Sequence, residues 1–391
     1  MIFEFATASR IIFGPGTAKQ IGNLATGLGR HVMVVTGQTS ARADFVFEDL
    51  TEHGLHTTPF PVTQEPTTSI VAAGIDMARS LECDVVIGIG GGSVIDSGKA
   101  IAALLTNRGR LDDYLEVVGE GRSIESAPAP YIAVPTTAGT GAEVTRNSVL
   151  MSEEHKVKVS MRSPLMLPRI AIIDPELTYS MPPSITAYTG LDAFTQLVEA
   201  FVSTGANPMT DGICREGLRR AADALERAYR DGSDTKARED MCLASLCGGL
   251  ALANAKLGAV HGIAGPLGGM FASPHGAVCG RLLPYVISAN ISALKKRLPG
   301  SNALARYEEI ARIVTHNPQA LVSDGERWVQ DLCDRLMAPP LSEYGINENR
   351  FGDIIKKAQR ASSMQGNPIP LTEEEMYGIL QQAVYYDAME A

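Results

Sequence analysis

The sequence predicts an α/β domain built on a parallel sheet, followed by an all-helical domain. Three observations carry this. In the first half, short runs rich in β-branched residues and ending in Gly, Thr or Pro alternate with helical patterns, which is how a parallel sheet with crossover helices reads. Beyond Pro182-Pro183 no strand-like run follows, only long helical stretches. Within the first half, residues 88–99 (GIGGGSVIDSGK) place three consecutive glycines after an apolar run and at the mouth of a helix.

Taken in order, residues 2–5 and 10–13 read as two short strands. An exposed terminal strand invites pairing with a second chain, and an intramolecular hairpin is the alternative. Residues 31–37 (HVMVVTG), 84–90 (DVVIGIG), 131–137 (YIAVPTT) and 169–175 (RIAIIDP) are continuously apolar, as expected of strands buried on both faces. Residues 69–81 and 93–106 are helical in pattern. The second half predicts helices over 186–203, 208–230, 236–255, 302–315, 324–337 and 372–388, the last with a plausible cap at Thr372 followed by three glutamates. The domains expected are residues 1–180 and 181–391.

The bulk numbers narrow the function classes. With 391 residues, 45% apolar and 20% charged, the chain has room for two or three domains with sizeable cores. Its net charge is -10 and it carries no basic cluster, so nucleic acid is not an expected partner. No run of 18 apolar residues occurs and the N-terminus lacks a signal pattern, so neither a membrane span nor export is expected. Six scattered cysteines without a CxxC pair suggest reduced thiols in the cytoplasm.

Backbone N–H groups at a helix N-terminus, freed of side chains by glycine, suit a phosphate. Two common phosphate motifs fail here. A P-loop needs Gly five residues before Gly98, where Ser93 stands, and Ser or Thr after Lys99, where Ala100 stands. The GxGxxG fingerprint counted from Gly88 also meets Ser93 in place of its last glycine. What remains is GGGSxxDxxK, from Gly90 through Asp96 to Lys99. A second loop of hydroxyls and glycines, 135–143 (PTTAGTGAE), follows the next apolar run, and open α/β sheets bind ligands at such strand ends.

In the helical half, Asp192 and Gln196 share a helix face, with Glu199 near it. Two histidines, His261 and His275, lie in apolar, glycine-rich surroundings. Two imidazoles and a carboxylate are a common transition-metal set, and equally a general-acid arrangement.

Together, residues 90–99 (GGGSVIDSGK), 135–145 (PTTAGTGAEVT), 174–177 (DPEL), 181–203 (MPPSITAYTGLDAFTQLVEAFVS), 206–212 (ANPMTDG) and 261–276 (HGIAGPLGGMFASPHG) resemble the iron-containing (group III) alcohol dehydrogenase family, over nearly the whole chain. The resemblance implies a dinucleotide-binding α/β domain, an all-α metal-bearing domain, a cleft between them, and a homodimer formed through the first strands. This is the fold also shared by dehydroquinate synthase. It implies reversible hydride transfer between a nicotinamide cofactor and a small alcohol or carbonyl compound. Gly91, Gly92, Ser93 and Asp96 match the family's pyrophosphate loop, Thr136, Thr137 and Thr140 its second cofactor loop, and Lys158 a lysine that reaches the cofactor ribose. Asp192, His261 and His275 match three of its four metal ligands.

The fourth ligand position, usually His, is Gln196, and a further histidine expected four residues after His261 is Gly265. An amide oxygen is a weaker ligand than imidazole, so Fe or Zn held by Asp192, Gln196, His261 and His275, and a metal-free site in which Gln196 and a histidine serve the substrate oxygen, both remain open. Phe194, Phe271 and Cys279 are candidate pocket-lining residues. In the cofactor-binding loop after the second strand, Thr36-Gly37-Gln38-Thr39-Ser40, Gly37 stands where NAD-using relatives often carry Asp, and Arg42 is close by in sequence, which favours NADP(H) over NAD(H). Two other function classes stay open: a dehydroquinate-synthase-like lyase using nicotinamide transiently, and a non-catalytic dinucleotide binder.

Overall fold

A computed structural model of the chain describes residues 2–38 and 40–385, so Thr39 lies outside the described residues. The chain forms two compact units, Ala6–Ser180 and the remainder from Met181 onward with the residues up to Phe5.

The first unit holds eight strands: β1 (Ile11–Phe13), β2 (His31–Thr36), β3 (His56–Pro61), β4 (Val85–Gly90), β5 (Tyr131–Pro135), β6 (Asn147–Ser152), β7 (Val157–Arg162) and β8 (Ile170–Ile173). Six of them make one parallel sheet in the order β1-β8-β5-β4-β2-β3, while β6 and β7 pair as an antiparallel hairpin. Helices α1 (Ile21–Thr26) and α2 (Asp44–Glu52) supply one apolar layer, and α3 (Thr68–Ser80) and α4 (Gly92–Thr106) the other. Strand β2 shows why its sequence is continuously apolar. Val32 and Val34 face the layer of Ile21, Val46 and Leu50, while Met33 and Val35 face that of Val71, Ile75 and Ile101. All four are fully buried, each contributing about 1.5–3 kcal/mol relative to exposure.

The strands depart from the sequence expectation in three places. Residues 2–5 form no strand; Ile2 and Phe3 are exposed, and β1 pairs with β8 rather than folding back on them as a hairpin. Strand β3 carries Pro59 and Pro61, which only an edge strand tolerates, and it is the last in the sheet. In the β6–β7 hairpin, β6 alternates half-buried and buried positions over six residues and β7 has only two buried ones, so no apolar run announces it.

The second unit is helical among the described residues: α5 (Pro183–Val202), α6 (Pro208–Arg230), α7 (Thr235–Ala255), α8 (Ala259–Met270), α9 (His275–Arg297), α10 (Asn302–Thr315), α11 (Val322–Arg335), α12 (Phe351–Arg360) and α13 (Glu373–Val384). Helix α5 is the hub, packing on α6, α7, α9 and α10. Gly190 lets α6 close in, since a Cβ there would sit 2.1 Å from Leu225 Cδ1. Thr372 and Glu375 cap α13 reciprocally. Helix α9 is long and apolar enough to cross a membrane, but it is mostly buried between α5, α8, α11 and α13 and is a core helix. Helices α8 and α9 contain Pro266 and Pro284, which is why the sequence does not read as helix there.

One buried cation ties α4 to the segment around the hairpin. Lys99, 1% exposed, donates to Ala142 O at 2.8 Å, Thr145 Oγ1 at 3.0 Å and Asn147 O at 2.6 Å. Asp96 and Glu143 are the acidic groups around it, two carboxyls to one ammonium. Burial pushes Glu143 from its ordinary 4.5 up to about 7, against the pull of Lys99. A carboxyl whose folded pKa is raised adds stability below its unfolded pKa, and that stability is lost as pH rises through the folded value. Between pH 5 and pH 8 the protein should therefore lose up to about 3 kcal/mol of unfolding free energy that Glu143→Gln does not lose, measured by denaturant titration at each pH.

Candidate active site

The glycine loop lies at the carboxyl ends of adjacent parallel strands. Strand β4 ends at Gly90, Gly91 caps α4, and Gly92 and Ser93 form its first turn. Thr136 N donates to Gly90 O at 2.9 Å, so the second loop leaves β5 against the first. The two loops touch: a Cβ on Gly92 would sit 2.8 Å from Thr140 Cγ2, and one on Gly91 3.5 Å from Thr137 Cγ2. Gly91, Gly92, Ser93, Thr136, Thr137 and Thr140 are thus brought together around a helix N-terminus, the arrangement that favours a phosphate. Gly37 and Gln38 follow β2, and a Cβ on Gly37 would come 4.0 Å from Val94 at the same edge.

Not every residue of the motif faces that edge. Tyr131 passes between Gly88 and Gly98, where added Cβ atoms would crowd its hydroxyl oxygen, and that hydroxyl donates to Ile95 O at 2.9 Å. Asp96 is turned toward the hairpin: it accepts from Val149 N at 3.1 Å and lies 3.5 Å from Lys99 Nζ. Lys158, on β7, is ion-paired with Glu65.

The second unit gathers a different set of groups. Helix α5 presents Asp192, Gln196 and Glu199 on successive turns; His261 lies in the first turn of α8, and His275 opens α9 with Cys279 one turn on. Asp192 Oδ1 is 3.2 Å from His261 Nε2 and 3.7 Å from His275 Nε2. Cys279 Sγ is 3.6 Å from His275 Nε2 and 3.9 Å from His261 Nε2. One donor atom from each of the four lies within 4.8 Å of the rest, a fit for a metal ion. Glu199 accepts from His261 Nδ1 at 2.6 Å, which puts the ring proton on Nδ1 and turns Nε2 toward Asp192. It also accepts from Val260 N at 2.6 Å, and with Asn367, which takes Ala259 N at 3.1 Å, it caps α8.

Burial works against charge on both Asp192 and His261, and in both cases the neighbours outweigh it. The hydrogen bond with His261, the two imidazoles and the Gln196 amide hold Asp192 below its ordinary 3.8. Cys279, Asp192 and Glu199 raise His261 well above 6.5. Burial pushes the Cys279 thiol up to about 11. Gln196 thus sits beside Asp192 as a hydrogen-bond donor, and its Oε1 lies against α7, 2.8 Å from where a Cβ on Gly248 would be.

Two family descriptions match this chain: iron-containing alcohol dehydrogenase over residues 8–175, and the C-terminal part of Fe-containing alcohol dehydrogenases over 186–384. It is 36% identical over 342 residues to alcohol dehydrogenase 4 of Saccharomyces cerevisiae, 86% of each chain. The chain belongs to the iron-containing alcohol dehydrogenase family. A crystal structure of 1,3-propanediol oxidoreductase is similar at a TM-score of 0.91 and 32% identity, over 98% of this chain and 100% of that one. Sulfoacetaldehyde reductase from Bifidobacterium kashiwanohense, solved with NAD+, is similar at a TM-score of 0.87 and 30% identity, over 99% and 100% of the two chains. Iron-containing alcohol dehydrogenases are oxidoreductases for which a nicotinamide cofactor and a divalent metal are typical.

Within this member of the family, the expected Asp192, Gln196, His261 and His275 converge. Cys279, expected only to line a pocket, stands among the donors. Its signal was the spacing His-x-x-x-Cys, which places both side chains on one helix face once α9 is known to begin at His275. Of the other two expected lining residues, Phe194 is fully buried against Trp328, and Phe271 lies beneath the Arg350 guanidinium. Gly265 leaves open space on α8, with nothing within 4 Å of an added Cβ. Because Glu199 both orients His261 and caps α8, Glu199→Gln should lower metal content per chain and reduce kcat/KM about 10–100-fold, with cofactor affinity unchanged in a fluorescence titration.

Proposed function

We propose that this alcohol dehydrogenase interconverts a small alcohol and its aldehyde or ketone with NADP(H) in preference to NAD(H), using residues 1–180 for the dinucleotide and residues 181–391 for a metal-assisted reaction. The observation that carries the chemistry is the convergence of Asp192, His261 and His275, with one histidine oriented by a buried carboxylate. A divalent Fe or Zn held there supplies Lewis-acid stabilisation of the charge that grows on the substrate oxygen during reduction. The nicotinamide supplies or accepts the hydride. Gly91, Gly92 and Ser93 hold the pyrophosphate at the start of α4; Thr136, Thr137, Thr140 and Lys158 orient the rest of the cofactor, with Asp96 bracing the loop from behind. Gln196 donates a hydrogen bond to Asp192, adding to the stronger hold of the two imidazoles on that carboxylate.

The cofactor preference rests on the end of β2. Thr36, Gly37 and Gln38 offer no carboxylate to hold the adenosine ribose hydroxyls, and Arg42 is exposed nearby for a 2′-phosphate. The homodimer is supported by the exposed apolar pair Ile2 and Phe3, which has no strand partner within this chain among the described residues. All six cysteines are free thiols, which supports a cytoplasmic location.

Fluorescence titration should give a tighter dissociation constant for NADPH than for NADH; equal or weaker NADPH binding overturns that preference. Chelator treatment should remove the metal and NADPH-dependent aldehyde reduction together, and added divalent metal should restore both. Activity that survives metal removal would shift the role of proton donor to a histidine. His275→Ala should abolish turnover and leave cofactor binding nearly unchanged, as measured by the same titration.

A further inference from the structure

The donor set around Asp192 does not match the one its family resemblance implies. Gln196 occupies the position of an imidazole, but its amide donates to Asp192 and its Oε1 lies against Gly248 of α7. Cys279, fully buried, instead brings a sulfur to both histidines. A tetrahedral zinc bound at about 2.3 Å to sulfur and about 2.0–2.1 Å to nitrogen and oxygen sets its donors roughly 3.4–3.6 Å apart. Here the separations are 3.6 and 3.9 Å from Cys279 to the two imidazoles, and 3.2 and 3.7 Å from Asp192 to them.

We propose that Cys279 is a metal ligand: its thiolate supplies the donor that Gln196 does not, making an Asp192–His261–His275–Cys279 centre that prefers zinc to ferrous iron. The inference rests on the reading above that the centre holds a metal. Thiolate is a soft donor that suits zinc, and a coordinating thiol gives up its proton to solvent on binding. The set is accessible from one side. The side chain of His275 is 35% exposed while that of Asp192 is 4% exposed, so the set opens on the His275 side. Gly265, one turn beyond His261, leaves further space on α8.

The test uses full-length protein stripped of metal and reloaded with cobalt(II), whose thiolate complexes show a sulfur-to-metal charge-transfer band in the near ultraviolet. The wild type and Gln196→Ala should both show this band along with the visible cobalt bands. Cys279→Ser should lose the charge-transfer band, and its zinc affinity, measured by competition with a chromophoric chelator, should fall at least about 100-fold. Offered equal zinc and ferrous iron without oxygen, the wild type should take up zinc. NADPH binding by each variant shows that it is folded. Visible cobalt bands without the charge-transfer band in the wild type would overturn the thiolate ligand and leave the metal reading standing. Failure of the wild type to bind cobalt or zinc would overturn both. Preferential uptake of iron would overturn the stated selectivity.

Discussion

Glu199 is 4% exposed in the last turn of a helix whose other buried positions are mostly apolar. A carboxylate buried there without partners would cost several kcal/mol or take up a proton. It is held by Val260 N, His261 N and His261 Nδ1, so one side chain answers both the need of α8 for caps and the need of His261 for a fixed orientation. Helix α8 needs that help. Four of its twelve residues are Gly and one is Pro, so its start is defined by Glu199 and Asn367 rather than by helix propensity. The position of His261, and with it the geometry of the donor set, follows from this cap.

Both units place the groups that position chemistry under cover. Lys99, Asp96 and Glu143 lie behind the glycine loop, and Asp192, Gln196 and Glu199 lie within the helical core. Burying such groups adds little net stability, because desolvation offsets most of the attraction. What it adds is definition: a buried polar network has few satisfied arrangements, and a slip in any of them leaves a group without its partner. The departures at Gln196 and Cys279 fit this view. The amide joins the network through Asp192, and the sulfur stands beside both imidazoles.

The parts of the fold that were legible share one property: their pattern reports local burial. Strands β2, β4, β5 and β8 are covered on both faces and read as unbroken apolar runs. Helices α5, α6, α7 and α10 are long and free of internal proline, and each agrees with its expected span apart from end residues; α13 does so up to Val384, residues 386–388 of its expected span lying outside the described residues. Strand β3 and helices α8 and α9 were hidden because their prolines are accommodated by tertiary context: an edge for β3, a half-buried position for Pro266 and a buried one for Pro284. The site divides the same way. Asp192, His261 and His275 stood out by residue type and by resemblance, whereas the bond from His261 to Glu199 spans 62 positions and leaves no local trace. The exposed Ile2 and Phe3 were expected in a strand, yet a strand needs a partner, and within this chain β1 has gone to β8.

The passage of Tyr131 between Gly88 and Gly98 also bears on how this stretch can drift over generations. The run GIGGGSVIDSGK reads as one phosphate-binding word, but two of its glycines are absent of side chains to accommodate a phenol ring from the neighbouring strand. Their freedom to vary is therefore set by the size of residue 131, not by the nucleotide. A smaller residue at 131 would release both positions together, while Gly92, pressed against Thr140, would remain bound to the second loop. The motif thus carries two steric constraints within twelve residues, one set by Tyr131 and one by the second loop.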